Sequence, residues 1–153
     1  MVKSALGIAI RIDRSVQPAY PKEMSFDVHF RLLSLGLAEY DPGVLELFLW
    51  GFQRGERRVE GKWLHDHLKR TRMIERCLDL RDALEIQKLC GDVFRVIFGD
   101  STIFFWRSTA QDRHGDEQVP YLCLKNGSVV LGWRRVKEHW GVRDPAVLFP
   151  KEM

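Results

Sequence analysis

Residues 92–133, DVFRVIFGDSTIFFWRSTAQDRHGDEQVPYLCLKNGSVVLGW, decide the fold, because this stretch divides into two successive β-hairpins. In the first hairpin two apolar runs flank Gly99-Asp100, and a glycine in the first position of a two-residue loop is typical of a type II′ turn. The register that follows places Arg95 opposite Phe104, where the guanidinium can lie over the ring. This half of the stretch therefore predicts an antiparallel pair of strands.

The second hairpin, residues 119–133, turns at Asn126-Gly127. This pair tolerates the positive φ values that both central positions of a type I′ turn require. The alternation of apolar residues then pairs Leu122 with Leu131. Because both faces of this hairpin are mostly apolar, we expect it to lie inside a sheet.

The composition is that of one globular domain spanning residues 1–153. The chain is 45% hydrophobic and 29% charged, with a net charge of +3, and a chain of this length buries a sizeable core without disulfides or a metal. Its three cysteines lack metal-ligand spacing, which predicts buried thiols in a reducing compartment. The sequence has no run of about 20 apolar residues, as a membrane helix needs, and its start lacks the features of a signal peptide. We therefore expect a cytoplasmic protein with no membrane segment.

The N-terminal third alternates between apolar and polar residues. Residues 6–12 have this period-2 pattern, and so do the first nine residues of 24–39, which predicts two strands that join the main sheet. A helix remains an alternative for 24–39, because its apolar residues also recur at helical spacing. Asp41-Pro42 is typical of a helix start, so residues 44–52 are predicted as a helix, with a strand after the Pro-Gly turn as the alternative.

The middle of the chain has the spacing of amphipathic helices. One helix is predicted within residues 59–78, and a second from the N-cap Asp79 to Gly91. A short basic helix is predicted at 134–140, followed by a tail in which residues 147–149 dock on the domain. The expected fold class is α+β: a C-terminal antiparallel meander of four strands, joined by the N-terminal strands, with helices from the middle of the chain packed on one face.

Basic residues are concentrated in two segments. Residues 54–76 have a local charge of +4 and residues 133–143 a local charge of +3, which leaves −4 for the rest of the chain. Cations beside rings such as Trp63 suit contact with phosphates and stacking on bases. The alternative is a solvated helix face whose tryptophans belong to the core. The nucleic-acid candidates are Arg57, Arg58, Lys62, Lys69, Arg70, Arg135 and Lys137.

The polar loop 108–118 contains side chains of the types that serve in acid–base catalysis. Its candidate residues are Arg113, His114 and Asp116. The sequence contains no recognisable catalytic or phosphate-binding motif. His65 and His67 are two positions apart on a predicted helix, so they point in different directions and cannot share a metal ion. We therefore predict no catalytic residue, no metal and no cofactor, and we lean against an enzyme.

The function that the sequence favours is a small non-enzymatic binding module that contacts another protein or pairs with itself as a homodimer. Large aromatic residues beside arginines are enriched at the centres of protein interfaces. The alternatives are nucleic-acid or polyanion binding through segments 54–76 and 133–143, and an enzyme with its site at loop 108–118. The interface candidates are Arg95, Trp106, Trp133, Arg134 and Trp140.

Overall fold

The computed structural model describes residues 7–24 and 36–151, and this part of the chain has the predicted α+β class. Its helices are α1 (Gly61–Arg70), α2 (Leu80–Ile86) and α3 (Gly91–Phe98). Its strands are β1 (Ile10–Arg11), β2 (Glu39–Tyr40), β3 (Glu46–Phe48), β4 (Val59–Glu60), β5 (Ile103–Phe104), β6 (Ala110–Gln111), β7 (Glu117–Lys125), β8 (Ser128–Arg135), β9 (His139–Trp140) and β10 (Ala146–Leu148).

The main sheet of the described residues has six strands. β3, β10, β5 and β7 lie side by side, β8 pairs along the length of β7, and β6 pairs with the first residues of β7. All neighbours are antiparallel except β10 and β5. The predicted docking of the tail is confirmed, and the tail supplies an interior strand, because β10 lies between β3 and β5.

The hairpin of β7 and β8 confirms the second predicted hairpin. Asn126 and Gly127 have φ values of 52° and 80°, as a type I′ turn requires. Leu122 pairs with Leu131, which is the predicted register. β7 lies inside the sheet as expected, whereas β8 forms an edge among the described strands.

The first predicted hairpin is wrong, because its first half is helix α3 rather than a strand. Phe94 and Phe98 are four positions apart, both are buried, and their ring centroids are 4.8 Å apart. A strand would have placed them on one face with Val96, which is instead 73% exposed. Gly99 follows the helix with a φ of 67°, so this glycine ends a helix instead of forming a two-residue turn.

Arg95 consequently does not reach the ring of Phe104. It lies exposed on α3 with its Nε 3.7 Å from Asp100. Phe104 belongs to β5, which pairs with β7. The guanidinium over its ring comes from Arg134, at 4.8 Å from the centroid.

The N-terminal predictions are met in part. The strand predicted at 6–12 is confirmed only as β1, which forms a separate two-stranded sheet with β2 and does not join the main sheet. Most of the segment 24–39 lies outside the described residues. Asp41 caps a 3-10 turn, Pro42–Val44. The helix predicted at 44–52 is wrong, and the alternative of a strand after the Pro-Gly turn is confirmed over Glu46–Phe48. The middle of this segment forms β3, because pairing with the edge of β10 outweighs the local preference for a helix.

The helices of the middle section begin where the sequence predicts. The first predicted helix is confirmed as α1, and Asp79 caps α2 by accepting hydrogen bonds from the backbone N–H groups of Arg81 and Asp82. α2 ends at Ile86, and Gly91 begins α3 instead of ending α2. The basic helix predicted at 134–140 is wrong: β8 runs to Arg135, and β9 pairs with β4.

Two apolar clusters cover the two faces of the main sheet. Successive residues of β5 and its extension alternate between them, since Ile103 and Phe105 contact α2 and α3, while Phe104 and Trp106 contact α1. The helices therefore divide between the two faces rather than sharing one. Gly61, at the start of α1, packs against the ring of Trp140 so closely that a Cβ would overlap it.

Candidate functional site

A groove of about 1040 Å³ lies where the two basic segments meet. We call it the basic groove, and it is lined by residues 55–58, 102, 134, 137–139 and 141–144. The two segments come together because β4 pairs with β9, with Val59 opposite Trp140 and Glu60 opposite His139. The sequence pattern predicts neither the pairing of β4 with β9 nor the contact between the two basic segments.

Gln53 joins the two walls of the basic groove. It is fully buried, and its Nε2 donates hydrogen bonds to the carbonyl oxygens of Gly141 at 3.1 Å and Asp144 at 3.0 Å. Its Oε1 accepts from the backbone N–H of Trp50 at 3.1 Å. Asp144 in turn accepts from the backbone N–H of Gly141 at 2.8 Å. These bonds fix the spacing of the walls, so the groove is present before any ligand binds.

Arg134 forms part of the groove and is already neutralised. Its NH1 lies 3.2 Å from a carboxylate oxygen of Asp144, and its guanidinium lies 4.8 Å from the ring centroid of Phe104 and 5.0 Å from that of Trp140. These cation–π contacts and the ion pair hold Arg134 in place. The interface candidate Arg134 therefore stabilises the groove, and its charge is not the one most accessible to a ligand.

Three other arginines supply the available positive charge. Arg57, Arg58 and Arg143 are exposed, and none forms an ion pair with any other residue in the described ranges. The groove holds five cationic side chains and three carboxylates, a local charge of +2. Because the cations outnumber the carboxylates in one concavity, the electrostatic potential inside the groove is positive. The groove is therefore suited to an anionic ligand.

Three of the other nucleic-acid candidates, Lys62, Lys69 and Arg70, lie outside the basic groove. Lys62 and Lys69 face a second pocket of about 490 Å³, which lies between α1 and the loop before β7. This pocket is lined by three lysines and four carboxylates, so it is not an anion site. The imidazole Nδ1 of the buried His65 lies there, 3.8 Å from Glu117. Arg70 lines neither cavity.

The loop candidates do not form an acid–base site. Asp112 accepts hydrogen bonds from the backbone N–H groups of His114 at 2.9 Å and Asp116 at 3.1 Å. Desolvation alone would raise the pKa of Asp112, but the hydrogen bond from Gln118 and these backbone hydrogen bonds lower it below its ordinary value. Asp116 lies 3.4 Å from the ammonium of Lys137. The loop carboxylates thus hold the loop together, while Arg113 and His114 are exposed.

Arg135 is also neutralised by neighbouring carboxylates. Its Nε lies 3.5 Å from Asp116 and 3.7 Å from Asp112. The pairing of Arg135 and Lys137 with the loop leaves the net positive charge of the groove concentrated on the three arginines named above. Arg143 lies in the basic segment 133–143 but was not among the nucleic-acid candidates predicted from the sequence.

The interface candidates do not form one surface. Trp106 and Trp140 have no exposed area, so they are core residues and are withdrawn as partner contacts. Trp133 is half-buried, with its ring centroid 5.9 Å from that of Tyr20. Arg95 lies on α3, on the side of the sheet opposite to α1. Among the residues that the structure describes, the Phe and Trp side chains that are exposed are those of Phe52 and Trp63, and Phe52 was not a candidate predicted from the sequence.

A second group of polar side chains, most of them charged, is buried on the α2 side of the fold, and it was not predicted from the sequence. Its members are Arg14, Tyr40, Asp79, Arg81, Asp82 and Arg107. Asp79 lies 2.7 Å from Arg81 and 2.9 Å from Arg107. Asp82 accepts hydrogen bonds from Arg14 at 2.8 Å and from the hydroxyl of Tyr40 at 2.6 Å. We call this group the buried ionic cluster.

The protonation states of the cluster are set by burial and by its own charges. Burial raises the pKa of Asp82, and the charge of Asp79 raises it further. The hydrogen bond from Arg14 lowers the pKa but does not outweigh these two effects. Burial also raises the pKa of Tyr40. The cluster connects the N-terminal segment to α2 and to the end of β5, so its role is structural.

Potential metal ligands and thiols are spread over the part of the chain that the structure describes. Within residues 7–24 and 36–151, no group of three His, Cys, Asp or Glu side chains is arranged to hold a metal ion. Burial raises the pKa of Cys77 to about 12. Cys90 is exposed and Cys123 is half-buried, contrary to the expectation of three buried thiols. None of the described helices has the length and apolar character needed to span a bilayer.

No protein-family model, no curated protein and no solved structure matches this chain.

Proposed function

We propose that the protein is a non-enzymatic binding module that holds nucleic acid in the basic groove. The observation that carries this proposal is the position of three exposed arginines, Arg57, Arg58 and Arg143, on the walls of one groove without carboxylate partners among the described residues. As part of the same proposal we place the protein in the cytoplasm, where an exposed thiol such as that of Cys90 stays reduced.

The chemistry of the groove favours phosphate over other anions. A guanidinium presents two parallel N–H groups to two phosphate oxygens, so each arginine can hold a phosphate in a fixed orientation. Several arginines in one groove can each contact one of the successive phosphates of a nucleic-acid backbone. The stem of Arg58 packs against Gly141, with its Cγ 3.7 Å from where a Cβ would lie, so this side chain is partly oriented before binding.

The dependence of affinity on salt tests this proposal. Each phosphate that an arginine neutralises releases counterions, so three such contacts are expected to weaken binding about 20-fold for a single strand, and about 40-fold for a duplex, between about 50 and 200 mM salt. We expect this fall for a fluorescently labelled oligonucleotide titrated with the protein and followed by anisotropy. An affinity that stays constant over that range of salt, or no binding at the lower concentration, would contradict the proposal.

Self-association through β8 is a second candidate function, in keeping with the homodimer expected from the sequence. β8 is eight residues long, and no described strand pairs with its outer edge. A long strand edge of this kind can pair with the same edge of a second copy. We expect light scattering to give twice the mass of the chain at high protein concentration. A monomer mass throughout would rule this candidate out.

A further inference from the structure

Two aromatic side chains that the fold leaves in solvent lie close to the basic groove along the chain. Trp63 is 62% exposed and Phe52 is 55% exposed, although folding normally hides most of such large rings. Phe52 immediately precedes Gln53, which hydrogen-bonds the opposite wall of the groove. Val142, a residue of the groove itself, is also 47% exposed. Exposed rings within a few residues of a charged groove are typical of a binding surface.

The ring of Phe52 is held by its contact with Trp50. The ring of Trp50 stacks on that of His67 with centroids 4.5 Å apart and an interplanar angle of 14°. Phe52 meets the same tryptophan edge to face, with centroids 4.7 Å apart. Trp63 lies one helical turn before His67, so both project from the same side of α1. Burial and the charge of Arg70 lower the pKa of His67, which favours its neutral form.

We propose that the ligand of the groove is a single strand of nucleic acid, whose phosphates contact Arg57, Arg58 and Arg143 while its bases stack on Trp63 and Phe52. This inference rests on the function proposed above. A base in a duplex already stacks on its neighbours, so only an unpaired base can use an exposed ring. The groove is lined by loops and strand ends, with no α-helix that could enter the major groove of a duplex.

The stacking role predicts how substitutions of Trp63 affect binding. Loss of a ring on which a base stacks is expected to weaken the affinity of Trp63→Ala for an oligothymidine of about 12 nucleotides by roughly tenfold. Trp63→Phe keeps a ring and is expected to retain most of the affinity. The matched control is Val96→Ala, which also shortens an exposed apolar residue, on a helix that does not line the groove. We expect it to bind as the unsubstituted protein does.

The experiment measures anisotropy for each protein with the oligothymidine, a duplex of the same length, and heparin, at one salt concentration, with circular dichroism as a check of folding. We expect the single strand to bind more tightly than the duplex, and Trp63→Ala to lose affinity for the single strand but not for heparin. Equal affinity for duplex and single strand, or an unchanged affinity of Trp63→Ala, would overturn the single-strand inference and leave the proposed function standing. If neither nucleic acid binds, the proposed function itself is overturned. Should Trp63→Ala fail to fold, Phe52→Leu tests the same inference, with a smaller loss of affinity expected.

Discussion

Replacing Asp79 by asparagine is expected to lower the free energy of unfolding by about 3 to 4 kcal/mol, because it leaves buried guanidinium groups without their counter-charge. Asp79 has a side chain only 2% exposed and lies within 3.3 Å of Arg14, 2.7 Å of Arg81 and 2.9 Å of Arg107. The Arg107 side chain has no exposed area, so water cannot replace the lost carboxylate. Asparagine remains a good N-cap residue, which isolates the loss of charge from the loss of the cap of α2.

Two further variants separate the contributions to this effect. Asp79→Ala also removes the cap and is expected to cost about 1 kcal/mol more. Glu39→Gln breaks the exposed pair of Glu39 and Arg11, whose side chains are 58% and 77% exposed, and is expected to cost less than about 1 kcal/mol. Urea denaturation followed by tryptophan fluorescence measures all three. If Asp79→Asn cost no more than Glu39→Gln, the buried ionic cluster would not stabilise the fold as its geometry indicates.

The pH dependence of this contribution has a definite sign. Burial alone would raise the pKa of Asp79, but the hydrogen bond from Arg81 and the charges of Arg107 and Arg14 outweigh it and hold the pKa below its ordinary value. The stability that Asp79 contributes is therefore fully present above its unfolded pKa of about 3.9 and is lost as the pH falls through the folded pKa. The difference between the unsubstituted protein and Asp79→Asn should accordingly shrink in acid.

The sequence correctly predicted those elements that are determined by a few neighbouring residues. Asn126-Gly127 determines its hairpin because both φ values must be positive, and Asp79 determines the start of α2 through its cap. Residues 91–98 were mispredicted because their apolar residues satisfy both a period of two and a period of four. Tertiary packing favours the helix over the strand, because the helix places Phe94 and Phe98 together in the core beside β7 and β8.

The candidate site was predictable in its charge and not in its geometry. Segments 54–76 and 133–143 stand out as basic in the sequence, but their meeting depends on the β4–β9 pairing of two-residue strands, which has no local signal. The same folding sends Trp140 to the core and pairs Arg135 with the 108–118 loop, so the arginines that stay available are found only in the fold. Buried charges such as Asp82 and Arg107 are likewise invisible, because the sequence does not say which charges lose contact with water.

Simultaneous replacement of Arg57, Arg58 and Arg143 by glutamine is expected to weaken binding of single-stranded DNA about a hundredfold at low salt. The change removes the three unpaired cations of the basic groove and leaves its three carboxylates, so the groove changes from attracting phosphate to repelling it. Each lost phosphate contact also removes about 0.7 from the slope of log affinity against log salt, so the slope should fall by about two in total. Anisotropy titrations at several salt concentrations measure both quantities.

A charge-matched variant separates the groove from net charge. Lys88, Arg95 and Lys125 are exposed and line no part of the groove, so their replacement by glutamine changes the total charge by the same amount. We expect this variant to lose only the weak, long-range part of the attraction and to keep the salt slope of the unsubstituted protein. All six side chains are exposed, so both variants should unfold at the same urea concentration as the unsubstituted protein. Equal losses of affinity in the two variants would mean that overall charge, and not the three arginines of the groove, attracts the ligand.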